Sequence, residues 1–163
     1  MKHFIVSVLL ITAATLSTAS EQHKSTGAGN IASAKKFMEI VLSDSTQAKA
    51  MTHEDFNFVF MGRTRISNQP YDRESYFEVW LPEVVGKLIP NGFRRLEVLD
   101  AIGDENGVAL IVEGDADGIN GLYDNKYVFI FKFREGKIIS IREYNSDLLV
   151  ATRLYKQKLV ADD

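Results

Sequence analysis

A carboxyl group held among apolar side chains keeps its proton to higher pH, so a lone acid on an apolar face can do acid–base work near neutrality. Glu143 is patterned for that. It ends the strand-like run Lys137 to Tyr144, which Arg134-Glu135-Gly136 joins to the aromatic run Asn125 to Phe133. A three-residue loop with Gly136 left-handed places Phe133 opposite Lys137. Counting back in twos, Phe131 faces Ile139, Phe129 faces Ile141 and Tyr127 faces Glu143. One face then carries Tyr127, Phe129, Phe131, Ile139, Ile141 and Glu143, with Asn125 at its polar end. The other carries Val128, Ile130, Lys132, Ile138, Ser140, Arg142 and Tyr144. A two-residue loop would bring Arg142 to the aromatic face instead. Glu143 and Tyr127 are the candidate catalytic pair, acid or base and hydroxyl donor. A purely structural role, Glu143 accepting from Tyr127 or Asn125, is the alternative.

Other reactive residue types are sparse. His53 stands just before a predicted strand beside Glu54 and Asp55, and a lone histidine does not make a metal site, so a solvated strand entrance is expected. Asp115-Ala116-Asp117-Gly118-Ile119-Asn120-Gly121 has the look of a calcium loop but lacks its closing glutamate, so a turn-rich connection at a cavity mouth is expected. Arg94 and Arg95 are expected to pair with Glu113 and Asp115 on a neighbouring strand. No phosphate-binding glycine loop, Ser/His/Asp set or HExxH motif occurs.

The elements that must position these residues follow from periodicity. Ile31, Ala34, Phe37, Met38, Val41 and Leu42 recur at helical spacing. Asp44 caps a short second helix carrying Ala48 and Met51. Phe56 to Met61, with Phe58 inside it, reads as a strand ended by Gly62. Asn68-Gln69-Pro70 is a turn, and Asp72 caps a helix whose stripe is Tyr76, Phe77, Trp80, Leu81, Val84, Val85 and Leu88. Pro82 should kink or restart that helix. Beyond Pro90-Asn91-Gly92 the period becomes two, with hairpins at 103–107 and 134–136. Helices followed by a run of strands define an α+β fold.

The stretch YDNKYVFIFKFREGKIISIREYNSD, Tyr123 to Asp147, resembles the C-terminal part of SnoaL-like proteins of the nuclear transport factor 2-like superfamily, to which ketosteroid isomerases belong. The matching features are Tyr123 and Asn125, the Tyr127/Phe129/Phe131 alternation, Gly136-Lys137-Ile138, and Glu143-Tyr144 with Asp147. The resemblance implies a cone-shaped, curved antiparallel sheet closed by N-terminal helices around an apolar cavity, with an outer sheet face suited to a homodimer. Phe58, Trp80, Asn125, Phe129, Phe131, Ile139 and Ile141 are the implied ligand-binding set. The family's isomerase chemistry does not carry over. Val59, Phe60 and Met61 stand where a first-strand base would be, and Phe129 where a protonated aspartate would be. Nor has the Asp–Arg–Asp set of related epoxide hydrolases a counterpart.

Composition excludes further classes. The chain has 163 residues, 45% hydrophobic and 25% charged, and no cysteine, which removes disulfide scaffolds, thiolate metal sites and cysteine nucleophiles. A formal charge of −3 and a pI near 5.6 argue against a nucleic-acid partner. No cofactor or metal is implied. Residues 1–20 read as a cleavable signal peptide: Met1-Lys2-His3, an apolar run from Phe4 to Ala14, and Ser17 and Ala19 at positions −3 and −1 for a cut before Ser20. That run is too short to span a bilayer. Residues 21–29 form a flexible leader and 30–163 the single domain, placing the protein in the periplasm or outside the cell. Three functions follow: an exported domain that binds, and by acid–base catalysis converts, a small hydrophobic or aromatic molecule; a non-catalytic carrier or sensor; or a dimeric association module. A cavity of roughly 300 Å³ or more containing Glu143 would mark ligand binding, and a cone filled by aromatics would mark association.

Overall fold

The computed structural model describes residues 26–160; the expected signal peptide and most of the leader lie outside them. The helical stripe at the start becomes α1 (Gly27–Ile40), which buries Asn30, Ala34, Phe37, Met38 and Ile40 at spacings of three and four. Thr26 caps it by accepting from Gly29 N. The helix therefore starts within the segment expected to be a leader, and Asn30 Nδ2 ties it to Asp104 O at 3.0 Å. α2 (Ser45–Ala50) starts at Asp44, whose side chain accepts from Gln47 N.

β1 (Thr52–Met61) begins earlier than its aromatic run, so His53 lies inside the strand. Phe56, Phe58 and Phe60 are buried on one face of β1, as a period of two requires. Pro70, expected in a turn, opens a short edge strand, β2 (Pro70–Asp72), antiparallel to β1. An edge is where a residue without an N–H is tolerated. The apolar stripe of 76–88 forms α3 (Arg73–Ser75), a π-helix, π1 (Tyr76–Val85), and α4 (Gly86–Leu88). Pro82 neither stops nor restarts this helix, because the wider π turns run through it. Tyr76 and Trp80 pack their rings on Phe58 at centroid distances of 4.8 Å each.

The rest is a meander of β3 (Phe93–Asp104), β4 (Gly107–Gly118), β5 (Gly121–Arg134) and β6 (Lys137–Tyr144), in the sheet order β2-β1-β6-β5-β4-β3. β1 and β6 run parallel, so the curved, unclosed sheet is mixed rather than wholly antiparallel. The segment 115–121 is not a loop: β4 continues to Gly118 and turns through Ile119-Asn120. Acids and small residues alternate there, Asp115 and Asp117 pairing with Arg94. Gly114, Ala116 and Gly118 leave room for what packs on the sheet. A Cβ on Gly118 would lie 2.7 Å from Leu154. Arg95 pairs with Glu113 at 2.9 Å. After β6 come α5 (Asp147–Leu149) and a second π-helix, π2 (Val150–Leu154), which packs against β5.

The β5–β6 hairpin differs from its expected register. Its loop is the two-residue turn Glu135-Gly136, with φ of 51° and 74°, so Arg134 pairs with Lys137. Left alone, that turn would bring Arg142 opposite Phe129. A bulge intervenes, Phe133 pairing with Ile138 and Lys132 with Ser140, so that Ile139 has no partner. The shift restores the face. Phe131 stands opposite Ile141 and Phe129 opposite Glu143, displaced by two residues from the expected pairs. Ile138, expected on the outer face, is in the core, and Ile139 is half-buried.

Candidate functional site

The concave side of the sheet, α1, π1 and π2 enclose an apolar cavity of about 80 Å³. Phe37 and Met38 of α1 and Val41 at its C-cap line it, as do Tyr76, Trp80 and Leu81 of π1, and Leu154 of π2. From the sheet come Phe60, Tyr123, Tyr127, Phe129, Ile141 and Glu143. Aromatic rings occupy most of the cone, and the volume falls short of the roughly 300 Å³ expected above of a ligand-binding cavity, so volume favours association and the case for a ligand rests on the polar groups at the cavity's end.

Its polar end is built around Glu143. In the sheet this residue pairs with Phe60 on one side and Phe129 on the other. Phe129 stands where the family resemblance would have put a protonated aspartate, and Phe60 is one of the three residues that stand where it would have put a first-strand base. Flanked in this way, Glu143 is 9% exposed. Burial pushes its carboxyl pKa up to about 8, against a lowering hydrogen bond from Asn145. Asn145 Nδ2 donates to Glu143 Oε1 at 3.0 Å. At neutral pH the carboxyl is therefore largely protonated and can itself donate. Tyr76, Tyr123 and Tyr127 all have phenol pKa values raised, first by burial and further by the Glu143 charge, so all three remain protonated.

Tyr127 is 4% exposed; its hydroxyl lies near that of Tyr123, which already accepts from Asn125, but makes no hydrogen bond of proper geometry. A buried polar atom left in this state is uncommon. Its ring is held by Phe129, stacked at 5.6 Å, and by the edge of Phe93 at 6.4 Å. A Cβ on Gly114 would come within 3.0 Å of both the Phe93 and Tyr127 rings, so glycine there makes space for them. The arrangement offers a ligand one carboxylic acid and one free phenol at the end of an otherwise apolar chamber.

The expected residues are distributed as follows. Glu143, Tyr127, Phe129, Ile141 and Trp80 line the cavity. Phe58 and Phe131 are buried in the core behind it, and the unpaired Ile139 is off its wall. Asn125 is buried but its amide is occupied: Nδ2 donates to Tyr123 Oη at 2.9 Å, and Oδ1 accepts from Lys126 N and Ser146 N. It anchors the start of α5 rather than a ligand. His53 accepts from Asp55 N at 3.1 Å within β1, and no metal-binding group of three such side chains occurs among the described residues. Sequence reasoning missed Asn145 as the partner of Glu143, and Leu154, because nothing in the 145–154 stretch carries a period long enough to place it.

No family model matches the sequence, and no curated protein matches it. Solved structures do match in fold. A nuclear transport factor 2-like protein from Burkholderia xenovorans superposes with a TM-score of 0.64 at 15% identity, covering 80% of this chain and 98% of that one. A phenazine biosynthesis-related protein from Pseudomonas aeruginosa gives 0.64 at 18% identity, covering 83% and 91%. A candidate SnoaL-like polyketide cyclase from Jannaschia gives 0.62 at 15%, covering 81% and 95%. The chain has the nuclear transport factor 2-like fold.

Proposed function

We propose that this protein binds a small hydrophobic molecule in the cavity, its polar group held by Glu143 and Tyr127. The observation that carries this reading is the pairing of a buried carboxyl, its pKa near 8, with a buried hydroxyl that has no partner. A carboxyl titrating near neutrality can give a proton to a ligand oxygen and take one back, so acid–base conversion of the ligand belongs to the same proposal. Export to the periplasm or beyond belongs to it as well, on the strength of the N-terminal segment.

The test compares the parent protein with Glu143→Gln and Tyr127→Phe across a panel of small apolar alcohols, ketones and phenols. Binding should weaken about tenfold for each variant. Turnover of a bound compound, if found, should fall in Glu143→Gln by at least a hundredfold. Unaltered binding in both variants would remove these residues from the site. Binding without turnover would make the protein a carrier.

A second reading rests on the outer sheet face. Ile111, Val128, Tyr144 and Met61 stand side by side across β4, β5, β6 and β1. Val128 and Tyr144 are 37% and 40% exposed. This apolar row suits a homodimer, and is compatible with an occupied cavity.

A further inference from the structure

The enclosed chamber is too small to account for the space around it. Beside it lies a groove of about 720 Å³ between α1, π1 and the start of β3, and Glu143 is not among the residues that line this groove. Met38, Leu42, Leu81, Val85, Phe93 and Leu96 line both chamber and groove, so the two share walls. Leu42 is 49% exposed at this junction. The groove extends over Pro82 and Gly86 of the helix. Charges at its rim are already paired: Arg94 with Asp115 and Asp117, Arg95 with Glu97 and Glu113.

We infer that the ligand is a linear amphiphile with an uncharged hydrogen-bonding head at Glu143 and Tyr127, a first segment filling the chamber and an apolar tail lying in the groove. This rests on the cavity reading above and adds to it the ligand's shape and charge. Three features select that class. The chamber is about 80 Å³, well short of the roughly 300 Å³ that takes a whole drug-sized molecule, so it fits the end of a chain better than a fused polycyclic molecule. Its lining residues include no cation, so a carboxylate or phosphate head would be buried beside Glu143 without a counter-charge. The neutralised rim of the groove likewise offers nothing to an anionic tail, while its leucine, valine and proline surfaces suit methylenes.

The experiment is a binding series of 1-alkanols from hexanol to dodecanol, with alkanoic acids of the same lengths, at pH 7. It uses the quenching of Trp80, the single tryptophan of the chain, whose ring lines the chamber. Alkanol affinity should rise up to about fourfold per added methylene, the hydrophobic gain of a fully buried CH₂, until the groove is filled. The acids should bind at least tenfold more weakly. Gly86→Glu, at an exposed helical position with room for a side chain, should collapse the decanol-to-hexanol affinity ratio toward one. Alkanols that bind with Glu143 dependence but no gain with length would overturn the tail in the groove and leave the cavity reading standing. Acids binding as well as alcohols would overturn the uncharged head. If no alkanol binds at all, this inference falls for lack of the amphiphile, and the cavity reading falls too if its own compact panel also fails.

Discussion

At the scale of single residues, Glu143 dominates because it is a titratable group in an apolar row. Its carboxyl ionises near pH 4.5 when exposed and near 8 in the folded protein. The folded state therefore holds its proton more tightly than the unfolded one. The protein is spared the cost of a buried charge below about pH 4.5, and loses stability progressively as pH rises to about 8. Glu143→Gln should abolish that slope. The variant should be more stable than the parent at pH 9 by a few kcal/mol, and close to it at pH 4, as chemical denaturation at each pH will show. Tyr127 gives a prediction of the opposite kind to an ordinary core truncation. Its hydroxyl is buried without a partner, so Tyr127→Phe should leave the ligand-free protein equally stable or more stable by about 1 kcal/mol. A loss above 1 kcal/mol in urea unfolding would mean that the hydroxyl is satisfied in solution.

At the scale of elements, the β5–β6 hairpin shows how two local irregularities cancel. The Glu135-Gly136 turn alone puts Arg142 on the aromatic face, and the bulge at Ile139 sends it back out. Deleting Ile139 while keeping the turn takes out the residue that has no partner, so the Lys132–Ser140 pair would follow Phe133–Ile138 directly and Arg142 would stay opposite Ile130, outside the cone. The deletion should therefore keep a cooperative thermal transition by circular dichroism. Loss of that transition would show that Ile139 is needed for packing and not only as the residue that resets the register. Gly114→Ala inserts a methyl 3.0 Å from two rings and should cost about 1–3 kcal/mol as overpacking, measured as a lower denaturation midpoint with an unchanged m-value.

At the scale of the whole molecule, the same sheet offers a chamber on one side and an apolar row on the other. Should the row mediate self-association, Tyr144→Glu should convert a dimer to a monomer in sedimentation velocity while leaving the monomer folded, since Tyr144 is 40% exposed. A monomer in the parent protein would remove the dimer. No helix among the described residues is long and apolar enough to cross a membrane. N-terminal sequencing of material recovered outside the cytoplasm should begin near Ser20, which would fix the signal cleavage that the first twenty residues predict.

Much of this was legible in one dimension. Alternation along Tyr127, Phe129 and Phe131 named the inner face, because side chains in a strand repeat every two residues whatever the partner strand does. Glu143 was placed on that face because its parity survives a shift of two. The helical stripes of α1 and π1, the caps at Asp44 and Asp72, and the α+β order were equally local. What the tertiary structure alone decided is pairing. The parallel contact of β1 with β6, the row Phe60–Glu143–Phe129, the Asn145 hydrogen bond and the closure by Leu154 join residues from distant parts of the chain. Local propensity contains no term for such contacts. Asn125 illustrates the difference: its type and position suggested a ligand contact, and the approach of Ser146 assigned its amide to the backbone instead. Burial, and with it the pKa of Glu143, is a property of the neighbours a residue acquires on folding, so the sequence could nominate the acid but only the assembled cone could set its charge.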